Sequence, residues 1–119
     1  MIVEEPVMLR TALLSLLLVS PVLAEDWRTL DGAGITAALT ARVLQYEDGS
    51  TQNFFQDGRT LYEAGGGESW GKWWVAGGQY CSTWPPSDVP ACYGVEAQGL
   101  DVRFTSDGGE VSVGRYVDL

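Results

Sequence analysis

The side chains of this chain that can do chemistry are few in kind. Two cysteines, Cys81 and Cys92, lie in the stretch Ser69–Cys92, which also holds four of the five tryptophans: Trp70, Trp73, Trp74 and Trp84. Sixteen carboxylates stand against seven basic residues, and there is no histidine. That absence removes the usual general base, the usual activator of a nucleophile and the commonest transition-metal ligand. Cysteines joined to each other offer no thiolate. Gly65-Gly66-Gly67 lacks the lysine and the following helix of a phosphate-binding loop. Paired carboxylates can hydrolyse glycosides, but among so many acids some pairs approach by chance, and the chain reads as non-enzymatic and without a cofactor. An oxygen-only metal site at Asp101, Asp107 and Glu110 lacks the spacing of an EF-hand loop. Solvated turn carboxylates account for those residues, so no metal is expected. Arg103 and Arg115 alternate with apolar residues and read as exposed strand positions.

The aromatic residues carry the best functional lead. Trp70, Trp74, Tyr80 and Trp84 are expected to line the face opposite the core on adjacent strands. Exposed rings of this kind stack on sugars or anchor an interface. The competing expectation is packing, because a small barrel needs large side chains to fill and flank it. Two functions from different classes follow. One is a binding module whose partner is a protein, a glycan or a small apolar ligand. The other is a structural or stress-related envelope protein with no small ligand. Inhibition of a cationic cell-wall hydrolase, through an acidic surface and a rigid Pro85–Pro90 loop, is a version of the first that rests on fold analogy.

The elements that must position these residues are short strands. From Arg42 onward, polar and apolar residues alternate, and turn signals recur: Asp48-Gly49, Asp57-Gly58, Gly65-Gly66-Gly67, Gly77-Gly78 and Asp107-Gly108-Gly109. Asp-Gly accepts the left-handed dihedrals of tight hairpin turns. The expected strands are 42–47, 51–55, 59–64, a central pair meeting at Ala76-Gly77-Gly78, then 91–97, 100–105 and 110–117. The class is mainly β: a small antiparallel meander of about eight strands, whose closure into a barrel removes exposed edges. An open or sandwiched meander is the rival arrangement. Residues 25–30 are expected to lead in as coil, followed by one short N-terminal helix capped by Asp31, with Ile35 and Leu39 on one face. In the central strand Trp73 and Val75 are assigned to the core, with Trp70, Lys72 and Trp74 opposite. Leu100, Val102 and Phe104 are expected to face inward together.

Ahead of this domain, residues 1–24 read as a cleaved secretory signal. Arg10 leads an apolar run that ends in Ser20-Pro21-Val22-Leu23-Ala24, with small or aliphatic residues before the cut. Glu4 and Glu5 do not suit a signal's leading region, and initiation at Met8 fits better. The run is too short for a membrane anchor, so no integral membrane segment is expected after cleavage, and no cysteine follows Ala24 to carry a lipid. The mature domain is then 25–119, periplasmic or secreted, with 14 acidic and six basic residues once Glu4, Glu5 and Arg10 are removed. Its negative charge repels phosphate backbones, so nucleic acid is not an expected partner. In an oxidising compartment the only two cysteines are expected to bond, closing a loop of about a dozen residues worth roughly 3 kcal/mol.

Gly71-Lys72-Trp73-Trp74-Val75, then Gly78-Gln79-Tyr80-Cys81-Ser82-Thr83-Trp84-Pro85, then Cys92-Tyr93 resembles the pattern of an uncharacterised family of short exported bacterial proteins. Asp57–Tyr62 and the Leu30–Leu39 segment share the likeness, which spans most of the mature chain. It implies a small, disulfide-closed β domain and brings no activity with it. Gly71-Lys72-Trp73 is also similar to the Gly-x-Trp of lipocalins, where the motif lies on the first barrel strand.

Overall fold

The computed structural model describes residues 26–118, so the expected signal segment lies outside the described residues. Each expected strand is present, with ends displaced by a residue or two where a turn claims them. In chain order the elements are β1 (Arg28–Thr29), α1 (Gly32–Leu39), β2 (Arg42–Tyr46), β3 (Thr51–Phe54), β4 (Arg59–Ala64) and β5 (Gly67–Ala76), followed by β6 (Gln79–Thr83), β7 (Ala91–Gln98), β8 (Asp101–Ser106) and β9 (Val111–Tyr116). Strands β2 to β9 pair each with the next, all antiparallel, and β9 returns to β2 through Leu44–Tyr116, Gln45–Arg115 and Tyr46–Gly114. The result is a closed eight-stranded up-and-down barrel with one short helix. Closure leaves no long edge for another chain to pair with.

The turns explain the register. Gly77 and Gly78 sit at φ 59° and 75°, the left-handed values that a two-residue hairpin turn requires at both positions. Ala76 therefore opposes Gln79, and Val75–Tyr80, Trp74–Cys81 and Trp73–Ser82 follow in step. Residues 25–30 are not all coil, as the sequence had suggested. Arg28 and Thr29 pair with Ala97 and Glu96, and Leu30 N–H donates to Val95 O. On β7, β6 pairs only with Ala91–Tyr93, and β1 pairs further along the same edge.

Asp31 caps α1 by accepting from Gly34 N–H at 2.8 Å, and Ile35 and Leu39 are fully buried. The helix packs against β2, β5 and β6 and is tied to β9 by Tyr116 OH donating to Ala38 O at 2.7 Å. It plugs one end of the barrel. Above that plug lies an apolar layer that includes Leu44, Phe54, Trp73 and Val102, all buried. Phe54 meets Trp73 and Tyr80 edge-on and stacks with Phe104. Trp73 also donates its indole N–H to Phe55 O at 2.9 Å, so its one polar atom is satisfied inside. Leu100 departs from expectation: it sits in the β7–β8 turn and is 47% exposed. The inward run of β8 starts at Val102, because the tight turn at Gly99 takes Leu100 out of the strand.

Cys81 and Cys92 are bonded. They oppose each other on β6 and β7, a seam of only three register pairs. Among the described residues no helix is long and apolar enough to cross a membrane.

Candidate binding site

Among the described residues, no element plugs the barrel end opposite α1. Inward residues of six strands face it: Tyr46 from β2, Gln52 from β3, Tyr62 from β4, Tyr80 and Ser82 from β6, Tyr93 from β7 and Phe104 from β8. Trp84, just past β6, closes one side. Together they line an open cavity of about 850 Å³, with Glu47 and Asp48 at its rim. The rings stand tilted or edge-on to one another, as the walls of a box stand. Tyr46 and Tyr62 lie 6.4 Å apart at 44°, Tyr62 and Trp84 6.3 Å at 75°, and Tyr80 and Phe104 5.2 Å at 61°.

Two inward positions without side chains make room for these rings. Gly71 faces the indole of Trp84 so closely that a Cβ there would fall 2.7 Å from its Cε3. Gly114, opposite Tyr46 on β9, would place a Cβ 3.1 Å from the Tyr46 ring. Large rings set against glycines on neighbouring strands fill a tapering barrel without forcing its wall outward.

A polar network holds the walls. Tyr46 OH donates to Gln52 Oε1 at 2.7 Å, and Gln52 Nε2 donates to Thr60 Oγ1 at 2.9 Å and to Tyr80 OH at 3.1 Å. Thr60 in turn donates to Asn53 O at 2.7 Å. Tyr62 OH donates to Ser50 Oγ at 3.0 Å, and Ser50 Oγ to Asp48 Oδ1 at 2.6 Å. Trp84 Nε1 donates to Ser82 Oγ at 3.1 Å. Gln52 is thus a buried amide with its hydrogens satisfied, which fixes its orientation and that of two phenols. Burial, and then the neighbouring phenols of Tyr80, Tyr62 and Tyr93, push the Tyr46 hydroxyl well above its usual range. Burial does the same to Tyr80 against the hydrogen bonds that oppose it. Both phenols stay neutral. Asp48 is held below the ordinary carboxylate range by the hydroxyl and backbone N–H of Ser50.

The four aromatic residues singled out in the sequence do not share a face. Trp70 and Trp74 are outside as expected, 45% and 37% exposed. Tyr80 is only 4% exposed and lies in the core. Trp84 turns over the barrel mouth. The reason is register: directly paired residues share a face, so Tyr80 and Ser82 go with Val75 and Trp73, not with Trp74. On the outside, Trp70 stacks on Phe55 at 5.8 Å, with the Arg59 guanidinium 5.2 Å from its ring. Trp74, Cys81 and Cys92 form a row across three strands. Sequence reasoning missed Tyr46, Gln52, Tyr62, Tyr93 and Phe104 as site residues. The available signal was the alternation within each strand, which puts an aromatic or amide at an inward position of β2, β3, β4, β7 and β8. Asp101 is engaged by Arg115, whose Nε and Nη2 donate at 2.8 and 3.2 Å, and Glu96 is paired with Arg103, so both arginines serve cross-strand ion pairs.

Comparison with family models, with curated proteins and with solved structures returned no match.

Proposed function

We propose that the protein is an exported, non-catalytic binding module that takes a small amphipathic ligand into the open mouth of its barrel. The observation that carries this reading is the cavity of about 850 Å³ opposite the helix, walled by tilted aromatic rings and lined by a few fixed polar groups. Ligand sites have this size and this mixture of apolar walls with sparse polar atoms, and the mouths of small barrels are among their usual places. The disulfide suits an oxidising compartment, and the periplasm or the cell exterior is its proposed location. The absence of histidine and of an unpaired cysteine among the described residues supports a binding role over a catalytic one.

The test is titration with the neutral apolar fluorophore N-phenyl-1-naphthylamine. Binding in the mouth gives a saturable enhancement at one site per chain. Ser112→Trp, which plugs the cavity from its β9 wall, removes the enhancement, whereas Trp70→Ala on the outside leaves it unchanged. Enhancement that survives the plug and disappears with Trp70 places binding on the outer face instead. That second reading is favoured by one observation, the exposure of Trp70 beside Phe55 and Arg59, and its partner would be a protein or a glycan.

A further inference from the structure

Several of the hydrogen-bond donors in the mouth are already engaged within the protein. Tyr46 OH, Tyr62 OH, Trp84 Nε1, Gln52 Nε2 and Ser50 Oγ all donate to protein acceptors. A sugar or an anion entering at those positions finds their donors already engaged. No lysine or arginine lines the cavity among the described residues, and the charged groups at its rim are the carboxylates of Glu47 and Asp48. The two rim carboxylates and the domain's excess of acidic over basic residues, 14 to six in 25–119, set a negative potential over the opening, and a cleft with low-dielectric walls focuses it. The ring faces carry partial negative charge as well. The rim charges and the ring faces of the opening share one sign.

We infer that the mouth selects an amphiphilic organic cation, its ammonium head held among the rings of Tyr46, Tyr62 and Trp84 below Glu47 and Asp48, and its chain directed toward Phe104. This inference rests on the reading of the mouth as a binding site. A box of tilted aromatic walls is the arrangement that recognises alkylated ammonium groups, which attract ring faces strongly and need no hydrogen-bond acceptor. The Tyr46 phenol remains neutral because burial opposes its ionisation, and Asp48 remains charged because Ser50 donates to it twice, from N and from Oγ. The apolar floor, Phe104 over Phe54, accommodates an alkyl chain. An anionic amphiphile meets rim carboxylates and ring faces of its own sign.

The experiment compares three probes that share one chain, decyltrimethylammonium, decyl glucoside and decyl sulfate, each below its micellar concentration, by titration calorimetry on the protein. The expected order is cation tightest, by about tenfold over the glucoside, with the sulfate weakest. Glu47→Gln narrows the gap between cation and glucoside and leaves the glucoside unchanged. Asp48→Asn does the same, with a thermal melt recorded because Asp48 also holds its turn. Ser112→Trp abolishes all mouth binding. Equal affinity for cation and glucoside, or tighter binding of the sulfate, overturns the charge inference and leaves the cavity reading standing. Cation binding at several sites that Ser112→Trp does not disturb also overturns it. Absence of saturable binding by all three probes overturns both.

Discussion

Replacing Gly71 by alanine tests the packing that shapes the mouth. Gly71 lies on β5 with ordinary extended dihedrals, so the substitution carries no left-handed backbone penalty and its effect is steric. An added Cβ falls 2.6 Å from Thr83 O, 2.7 Å from Trp84 Cε3 and 2.9 Å from Trp84 Cδ2. None of these atoms is the free end of a flexible side chain. Thr83 O belongs to β6, and the indole is held by its bond to Ser82. One methyl group forced into a packed site costs about 1–3 kcal/mol, and the upper part of that range applies because backbone must move. Urea denaturation followed by far-UV circular dichroism reads the stability, and the fluorine resonance of 5-fluorotryptophan at position 84 reads its displacement. Gly71→Ala is expected to lose about 2–3 kcal/mol and to shift the indole toward solvent. Adding Trp84→Ala recovers part of the loss, since the clash with Thr83 O stays. Stability within about 0.5 kcal/mol of the parent, the usual range for surface changes, refutes the placement of Trp84 over β5.

Other outcomes follow from the same packing. Trp73→Ala leaves a cavity beneath Phe54 and Tyr80 and is expected to destabilise by about 3–5 kcal/mol, whereas Trp70→Ala and Trp74→Ala, on the outer face, cost about 1 kcal/mol or less; thermal melts of the three variants check the split. Replacing Cys81 and Cys92 together by serine is expected to cost about 2–5 kcal/mol, because the disulfide staples a three-pair seam, and protease cleavage then appears first between Pro85 and Pro90. The raised hydroxyls of Tyr46 and Tyr80 favour the protonated form in the fold. Their contribution is fully present below about pH 10, the unfolded phenol value, and is lost as pH rises through the folded values. Absorbance at 295 nm is therefore expected to show Tyr46 and Tyr80 ionising together with loss of the near-UV circular dichroism, and their free titration in a still-folded protein contradicts this.

Local chemistry made the strands legible. Asp-Gly and Gly-Gly dipeptides mark the hairpins because few other residues accept their dihedrals, and Asp31 marks the helix start because its carboxylate answers an unpaired N–H. Barrel closure was readable as one of two arrangements only, since the pairing of β9 with β2 joins residues over 65 positions apart. The division of the aromatics failed at register. Alternation within β5 and within β6 does not by itself relate one strand to the other, whereas the two-residue turn at Gly77-Gly78 fixes Val75 opposite Tyr80. Carrying that register across would have moved Tyr80 inside. The cavity itself was out of reach, because it depends on which end of the barrel the helix closes. Gly71 and Gly114 read in the sequence as strand glycines, and their meaning appears only when Trp84 and Tyr46 are seen against them.

The most direct test of the barrel mouth as the binding site is a site-resolved one. Incorporating 5-fluorotryptophan gives one fluorine resonance for each of the five tryptophans, assigned by single substitution to phenylalanine. On titration with decyltrimethylammonium, or with decyl glucoside should the cation show no preference, the account predicts that the Trp84 resonance moves saturably while those of Trp70 and Trp74 stay in place. Movement of Trp70 and Trp74 with Trp84 unchanged would contradict it.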